Sequence, residues 1–411
     1  YRMKHTLLRL AFFTILLGAM HIANAQTMSP ADPNWVFTGT NNPGQPAWSN
    51  NIIKWGHTNR LGWNPYNVGY KCYYYKGMVF RLKFPKTYQP GVNDGKKYPI
   101  FIFLHGMGER GTIYDNEYQL LHGGQIHQQK VDDGTFDGFL FYPQSTDGTF
   151  AGSFPLYNDI IDSLVQYNKG DVDRVILSGL SGGGQADYEY MNAYPKIFAG
   201  VLPISAAKTD YFPQLHNYIT IPIWLTNGGQ DTNPAPGVVT ELIDSFRAQG
   251  GLIKQTFYPP QGHGVWNSFW SEPDYFPYLP LQHKANPLVY FQHNEFCSND
   301  PVGARLGLQP GFYAYEWQKD GVTIDTATSS EFIAHEYGTY RCRFKRTATS
   351  NWSDWSPNPV VVSVKQATVT PPITINGMYS NILPAPDGSN TVPLMVPATY
   401  ASYEWRRVSD N

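Results

Sequence analysis

The sequence predicts an α/β fold with a doubly wound, mainly parallel sheet, followed by an all-β tail. Tyr98-Pro99-Ile100-Phe101-Ile102-Phe103-Leu104 is continuously apolar, the mark of a strand buried on both faces. Strand and helix patterns then alternate as far as Tyr258, which argues for parallel strands covered by helices on both sides. From Pro287 onward short strands and turns replace the helices.

The chain has 411 residues, enough for two or three domains. Its 30 basic and 32 acidic residues nearly balance, and no basic stripe invites nucleic acid. Aromatics reach 15%. That content fits a turn-rich secreted β protein, or platforms for sugar rings and aromatic esters. Residues 1–25 read as a secretory signal peptide. Met3-Lys4-His5 and Arg9 form a basic start, Leu10 to Met20 an apolar core, and Ala23-Asn24-Ala25 a cleavage site before Gln26. The expected location is secreted, periplasmic or cell-surface. The apolar run is too short to span a bilayer comfortably, and no other segment comes close. Tyr1-Arg2 ahead of Met3 suggests a fragment.

Residues 26–70 are rich in Pro, Gly, Asn and Trp without a sustained period, and are expected to be irregular and to pack on the next domain. A strand pattern runs from Tyr73 to Pro85, with a turn at Pro90–Gly95. After the Tyr98 strand come a strand at Gly138–Pro143, an amphipathic helix at Tyr157–Tyr167 and a strand at Arg174–Ser178. Further on lie a helix at Gln185–Tyr194 stopped by Pro195, strands at Phe198–Ser205 and Ile221–Thr226, a helix at Val238–Arg247 and a strand at Ile253–Tyr258. The Ala206–Thr220 stretch carries no long helical pattern, so no lid is expected there and the cleft should be open.

The chemistry gathers at strand ends. Gly179-Leu180-Ser181-Gly182-Gly183 follows the β-branched run at Arg174–Ser178 and reads as a sharp strand-to-helix turn that exposes one serine hydroxyl. Asp231 lies in the loop after the Ile221 strand, and His263 in the loop after Tyr258. A serine hydroxyl is a poor nucleophile, so an imidazole must take its proton, and a carboxylate must hold that imidazole in the right tautomer. The order Ser, Asp, His is that of the α/β-hydrolases. Backbone N–H groups of Gly182 and Met107 are placed to receive an oxyanion. Asp187, Asp210 and Asp274 are weaker acid candidates: the first is in the helix after the serine, the second follows the wrong strand, the third comes after the histidine. No cofactor is implied, and no metal site, because His122 and His127 are five apart and off one helical face. Cys72 lacks ligand spacing and reads as a buried structural thiol.

Leu104-His105-Gly106-Met107-Gly108-Glu109-Arg110-Gly111, with Asp115-Asn116-Glu117 and Gln119-Leu120, resembles the oxyanion-loop signature of secreted bacterial α/β-hydrolases of the esterase D, feruloyl esterase and polyhydroxybutyrate depolymerase type. Gly262-His263-Gly264-Val265-Trp266 resembles the same group's histidine loop. The likeness covers about residues 71–286. It implies Ser181 as nucleophile, Asp231 as acid, His263 as base, Met107 and Gly182 as oxyanion hole, and Trp266 at the substrate. Gly182-Gly183-Gly184 departs from the commoner Met-Gly-Gly, which leaves the acyl pocket's shape open.

In residues 287–365, Cys297, Trp317, Tyr340 and Cys342 fall in the order of an immunoglobulin-like sandwich, with a bridge Cys297–Cys342, a core tryptophan and a tyrosine corner. Trp352-Ser353-Asp354-Trp355 reads as packed edge aromatics, or as a sugar platform. Residues 366–411 read as a linker and a truncated second copy, since Tyr313–Asp320 recurs loosely as Tyr400–Arg407. Three readings stay open: a carboxylesterase on polysaccharide-linked or aromatic esters with its tail on a polymer or cell surface, a peptidase of similar fold, and an inert binding or adhesion protein.

Overall fold

The computed structural model describes residues 35–36, 60–112, 115–366, 374–375 and 394–396. The signal segment, the Thr368–Pro372 linker and the Tyr400–Arg407 repeat lie outside the described residues, as does most of 26–59. Two compact units are present, Tyr1–Phe296 with Asp300–Ser363 and Cys297–Asn299 with Val364–Asn411.

Nine strands form the main sheet: β1 Trp35–Val36, β2 Lys71–Tyr75, β3 Met78–Lys83, β4 Tyr98–Leu104, β5 Phe139–Pro143, β6 Gly170–Leu180, β7 Phe198–Ile204, β8 Ile223–Gly228 and β9 Ile253–Tyr258. Their spatial order is β1-β2-β3-β5-β4-β6-β7-β8-β9. Strands β4 to β9 run parallel to one another, whereas β3 is antiparallel to both β2 and β5. This is the α/β-hydrolase sheet, doubly wound and mainly parallel. The strand-like stretch from Tyr73 to Pro85 is a hairpin, β2 and β3 joined by a tight turn. Lys76 and Gly77 both take positive φ, 46° and 90°, as a two-residue hairpin turn requires.

Helices α1 Gly124–Asp133, α2 Phe154–Tyr167, α3 Gly182–Ala193 and α4 Pro236–Ala248 cross between the strands. α2 carries Pro155 in its first turn and buries Phe154, Tyr157, Ile160, Ile161 and Leu164. Alternation along the strands separates two cores. Ile100, Ile102, Leu104, Val175 and Leu177 face α2, α3 and α4. Phe101, Phe103, Ile176, Leu202 and Ile204 face the opposite way, toward Val131 of α1 and the short helices α5 Trp266–Trp270 and α6 Tyr275–Tyr278. Leu61, Trp63, Val68 and Tyr70 pack on that second core. The segment Thr209–Tyr218 winds as a 3-10 helix, and buries Tyr211, Leu215 and Tyr218 in the first core rather than arching over the strand ends.

Two antiparallel sheets follow between residues 288 and 364. One is β10 Leu288–Val289, β12 Ala304–Gly307 and β15 Glu331–Ala334. The other joins β11 Glu295–Phe296, β13 Ala314–Lys319, β14 Val322–Thr323, β16 Gly338–Lys345 and β17 Val360–Val364. They share a core around Trp317, Leu306, Ala334, Tyr340 and Phe344, an arrangement compatible with a β-sandwich. The Tyr340 hydroxyl donates to the Glu336 carbonyl at 2.8 Å. The expected Cys297–Cys342 bridge is corrected: all three cysteines are free, Cys342 buried and Cys297 exposed. Cys342 pairs in register with Trp317 inside the core. Nor are Trp352 and Trp355 bare platforms, because the Arg343 guanidinium stacks 5.0 Å from one ring and 4.5 Å from the other.

The sandwich is fastened to the amino ends of the parallel strands. Arg346 pairs with Asp173 at 2.6 Å and donates to Val172 O, both at the start of β6. Buried Lys284 donates to Pro195 O at 2.7 Å and Phe198 O at 2.9 Å, and Thr220 bonds Gln309 at 2.6 Å. The catalytic candidates sit at the carboxyl ends, so the sandwich leaves that face free.

Candidate active site

Ser181 joins β6 to α3 with φ 54° and ψ −115°, a conformation that costs about 1–3 kcal/mol in a non-glycine residue and persists only where packing enforces it. The enforcement is visible. A Cβ on Gly183 would collide with the Leu104 carbonyl, and one on Gly179 would collide with Gly183. Only glycine therefore lets α3 start this close to β4. Ser181 N donates to Ile204 O at 2.9 Å and Gln185 N to Ser181 O at 3.0 Å, which fixes the turn from both sides. Gly182 is the first residue of α3, so its N–H has no acceptor within the helix and lies at the positive end of the dipole.

His263 Nδ1 is 2.8 Å from Asp231 Oδ2. Asp231 is buried and its other oxygen accepts from Asn233 N at 2.9 Å. With Nδ1 donating to the carboxylate, Nε2 keeps its lone pair. The two loops are tied together: Gln230 N donates to Gln261 O at 2.8 Å and Gly229 N to Tyr258 O at 2.9 Å. Gly228 and Gly229 allow the approach, since a Cβ on either would strike the backbone of the histidine loop. Ser205 adds a third tie, its hydroxyl donating to His263 O at 2.6 Å from the end of β7, with φ 49°. The weaker acid candidates lie elsewhere. Asp187 is wholly buried behind the serine turn, where burial pushes its carboxyl well above the ordinary range. Asp210 is exposed, and Asp274 bonds Lys254 at 3.2 Å.

The loop Gly106–Gly111 leaves the end of β4. His105 is buried, and burial pushes its imidazole below the ordinary value. Neutral, it donates from Nδ1 to Gly106 O at 2.7 Å and accepts at Nε2 from Ser145 N at 2.9 Å. Gln144 clamps the same loop by donating to Glu109 O at 2.9 Å. Asn116 anchors its far end, accepting from Arg81 Nε through its carbonyl at 3.0 Å. Met107 opens a 3-10 turn, and its side chain covers the glycine after Ser181: a Cβ on Gly182 would stand 3.1 Å from Met107 Cγ. Met107 thus fills space that a larger residue at 182 would contest. Cys72 is fully buried, with its Sγ 3.4 Å from Asn116 Oδ1.

Trp266 heads α5 and is half-buried. Its ring meets His263 edge-on at 6.1 Å and His122 at 4.8 Å between centroids. His122 Nε2 in turn lies 3.4 Å from Glu109 Oε1. His127 is apart from this group, buried in the second core between Tyr142 and Tyr275. Sequence reasoning passed over Ser205, Gln144, Glu109 and His122. Only Glu109 carried a signal, by standing in the oxyanion-loop signature.

No protein-family model matches the chain, and no curated protein does. Solved structures that resemble it include a thermostable esterase (24% identity, TM-score 0.44, covering 50% of this chain and 59% of that one). A ferulic acid esterase gives 19% identity and TM-score 0.38, covering 49% and 91%. S-formylglutathione hydrolase from Staphylococcus aureus gives 14% and 0.38, covering 49% and 89%. The chain spans 59% of the length of the first. Among the described residues no helix is long and apolar enough to cross a membrane.

Proposed function

We propose that the protein is a secreted serine hydrolase of carboxylic esters, with Ser181 as nucleophile, His263 as base and Asp231 as its orienting acid. One observation carries this reading: the strained Ser181 turn stands at the same sheet edge as a histidine whose Nδ1 is engaged by a buried carboxylate. As Ser181 Oγ attacks the ester carbonyl, its proton passes to His263 Nε2 and the oxyanion is received by the N–H groups of Gly182 and Met107. Collapse breaks the C–O bond, and the alcohol leaves with the proton held by His263. Water then repeats the cycle on the acyl-enzyme.

The half-buried Ser181, with Thr209–Tyr218 packed down beside it, supports an open cleft suited to esters on bulky acceptors such as polysaccharides, with acyl or feruloyl groups as first candidates. The signal-like segment supports export. The two antiparallel sheets packed at the amino ends of the parallel strands, read as an immunoglobulin-like tail, support tethering to a polymer or cell surface with the cleft facing outward.

The test is hydrolysis of p-nitrophenyl acetate and butyrate, beside the matching anilides, by the full chain and by Ser181→Ala. Ester turnover should exceed anilide turnover, and should fall about 10⁴-fold or more in the variant. Equal rates in the two proteins, or none in folded wild type, would sink the mechanism. Faster anilide cleavage would move the assignment to a peptidase.

A further inference from the structure

A second acid–imidazole pair lies one indole ring away from His263. Glu109, in the loop that carries Met107, is buried with Oε2 against Gly106 and without a hydrogen-bond partner among the described residues. Burial pushes its carboxyl up, but the N–H of His122 facing it outweighs that and holds it below the ordinary value. Glu109 is therefore a carboxylate facing His122 Nε2 at 3.4 Å. The imidazole N–H belongs on that nitrogen, and Nδ1 keeps an accepting lone pair. Nδ1 makes no hydrogen bond to a described residue, while the side chain stays 25% exposed. One indole ring, Trp266, separates His122 from the base.

We propose that His122 and Trp266 form a specificity subsite for a ring-shaped substrate group that bears a hydroxyl. Trp266 offers an apolar surface to the ring, and His122 Nδ1 accepts from the hydroxyl. Glu109 is a positioning residue that biases the tautomer. The proposal rests on the ester-hydrolase reading and deepens it. A site built to bond a hydroxyl penalises the analogue that lacks one, because the acceptor is left unpaired. His122 is partly solvated, so the penalty is modest, about tenfold.

Two pairs of esters read it. Methyl 4-hydroxycinnamate against methyl cinnamate probes the acyl side, and 4-hydroxybenzyl acetate against benzyl acetate the alcohol side. In wild type, kcat/KM should favour the hydroxylated member of one pair about tenfold. In His122→Phe that ratio should fall to about one. His122→Gln, whose amide oxygen can still accept, should keep part of it and serves if the Phe variant does not fold. A ratio near one for both pairs in wild type overturns the subsite. So does a wild-type ratio preserved in His122→Phe, which would leave His122 a structural neighbour of Trp266. A wild type that hydrolyses none of the four esters overturns the ester reading, and the subsite falls with it.

Discussion

The two carboxylate–imidazole pairs at the carboxyl end of the sheet are built to different standards. Asp231 and His263 are 2.8 Å apart, both oxygens of Asp231 are engaged, two backbone bonds join their loops, and Ser205 ties the histidine loop to the end of β7. Glu109 and His122 are 3.4 Å apart, one carboxylate oxygen is unpartnered, and His122 leans on a single indole. A charge-assisted bond is short when both ends are fixed. The tight pair can hold a tautomer and stabilise an imidazolium in the transition state. The loose pair can bias a tautomer but does not fix a geometry, which suits recognition better than proton transfer.

That contrast breaks most visibly at Asp231. Asp231→Asn keeps the shape of the acid but presents an amide to Nδ1, so the imidazole is held in the wrong tautomer. By analogy with a serine protease of the same triad logic, kcat should drop about 10³–10⁴-fold. Steady-state kinetics on p-nitrophenyl acetate, with circular dichroism to verify the fold, checks it. A loss under tenfold would mean that Asp231 does not orient the base.

A third imidazole sharpens the comparison because it has no carboxylate at all. His127 lies within 2.7 Å of Gly123 O and 2.9 Å of the Tyr275 hydroxyl, and burial pushes its pKa from 6.5 down to about 3. The unfolded chain takes up a proton near pH 6.5 and the native chain only near pH 3. The stability that neutral His127 represents is therefore complete above pH 6.5 and is lost as pH falls toward 3, at about 1.4 kcal/mol per unit. Urea unfolding at pH 7, 6 and 5 should show wild type losing stability faster than His127→Gln. Parallel curves would place the proton elsewhere.

How far the sequence reveals this molecule depends on the range of the interaction. The strands of the parallel sheet were legible because burial on both faces leaves an unbroken apolar run, as at Tyr98–Leu104. The serine turn was legible because only glycine fits at positions 179 and 183. The hairpin at Lys76-Gly77 was not, since Lys at positive φ carries no signature. The Cys297–Cys342 pairing failed because cysteine order does not report burial, and one thiol is in the core while the other is exposed. Glu109 and His122 became partners only through the fold, which brings Trp266 up to His122 across 144 positions of chain.

The smallest expected effect tests where the tightness of the Asp231–His263 pair comes from. Ser205 touches neither Asp231 nor the ring of His263. It holds the His263 carbonyl at 2.6 Å while its own N–H is fixed to Thr226 O at 2.8 Å. Its hydroxyl therefore transmits the rigidity of β7 and β8 to the histidine loop. Ser205→Ala removes one hydrogen bond worth about 1 kcal/mol, but a small displacement of a general base is costly to proton transfer. The expected result is a fall in kcat of about tenfold with KM little changed. Ser205→Thr, which keeps the hydroxyl, should recover most of it. An equal loss in both variants would show that the strained backbone at position 205, rather than the bond, sets the position of the base.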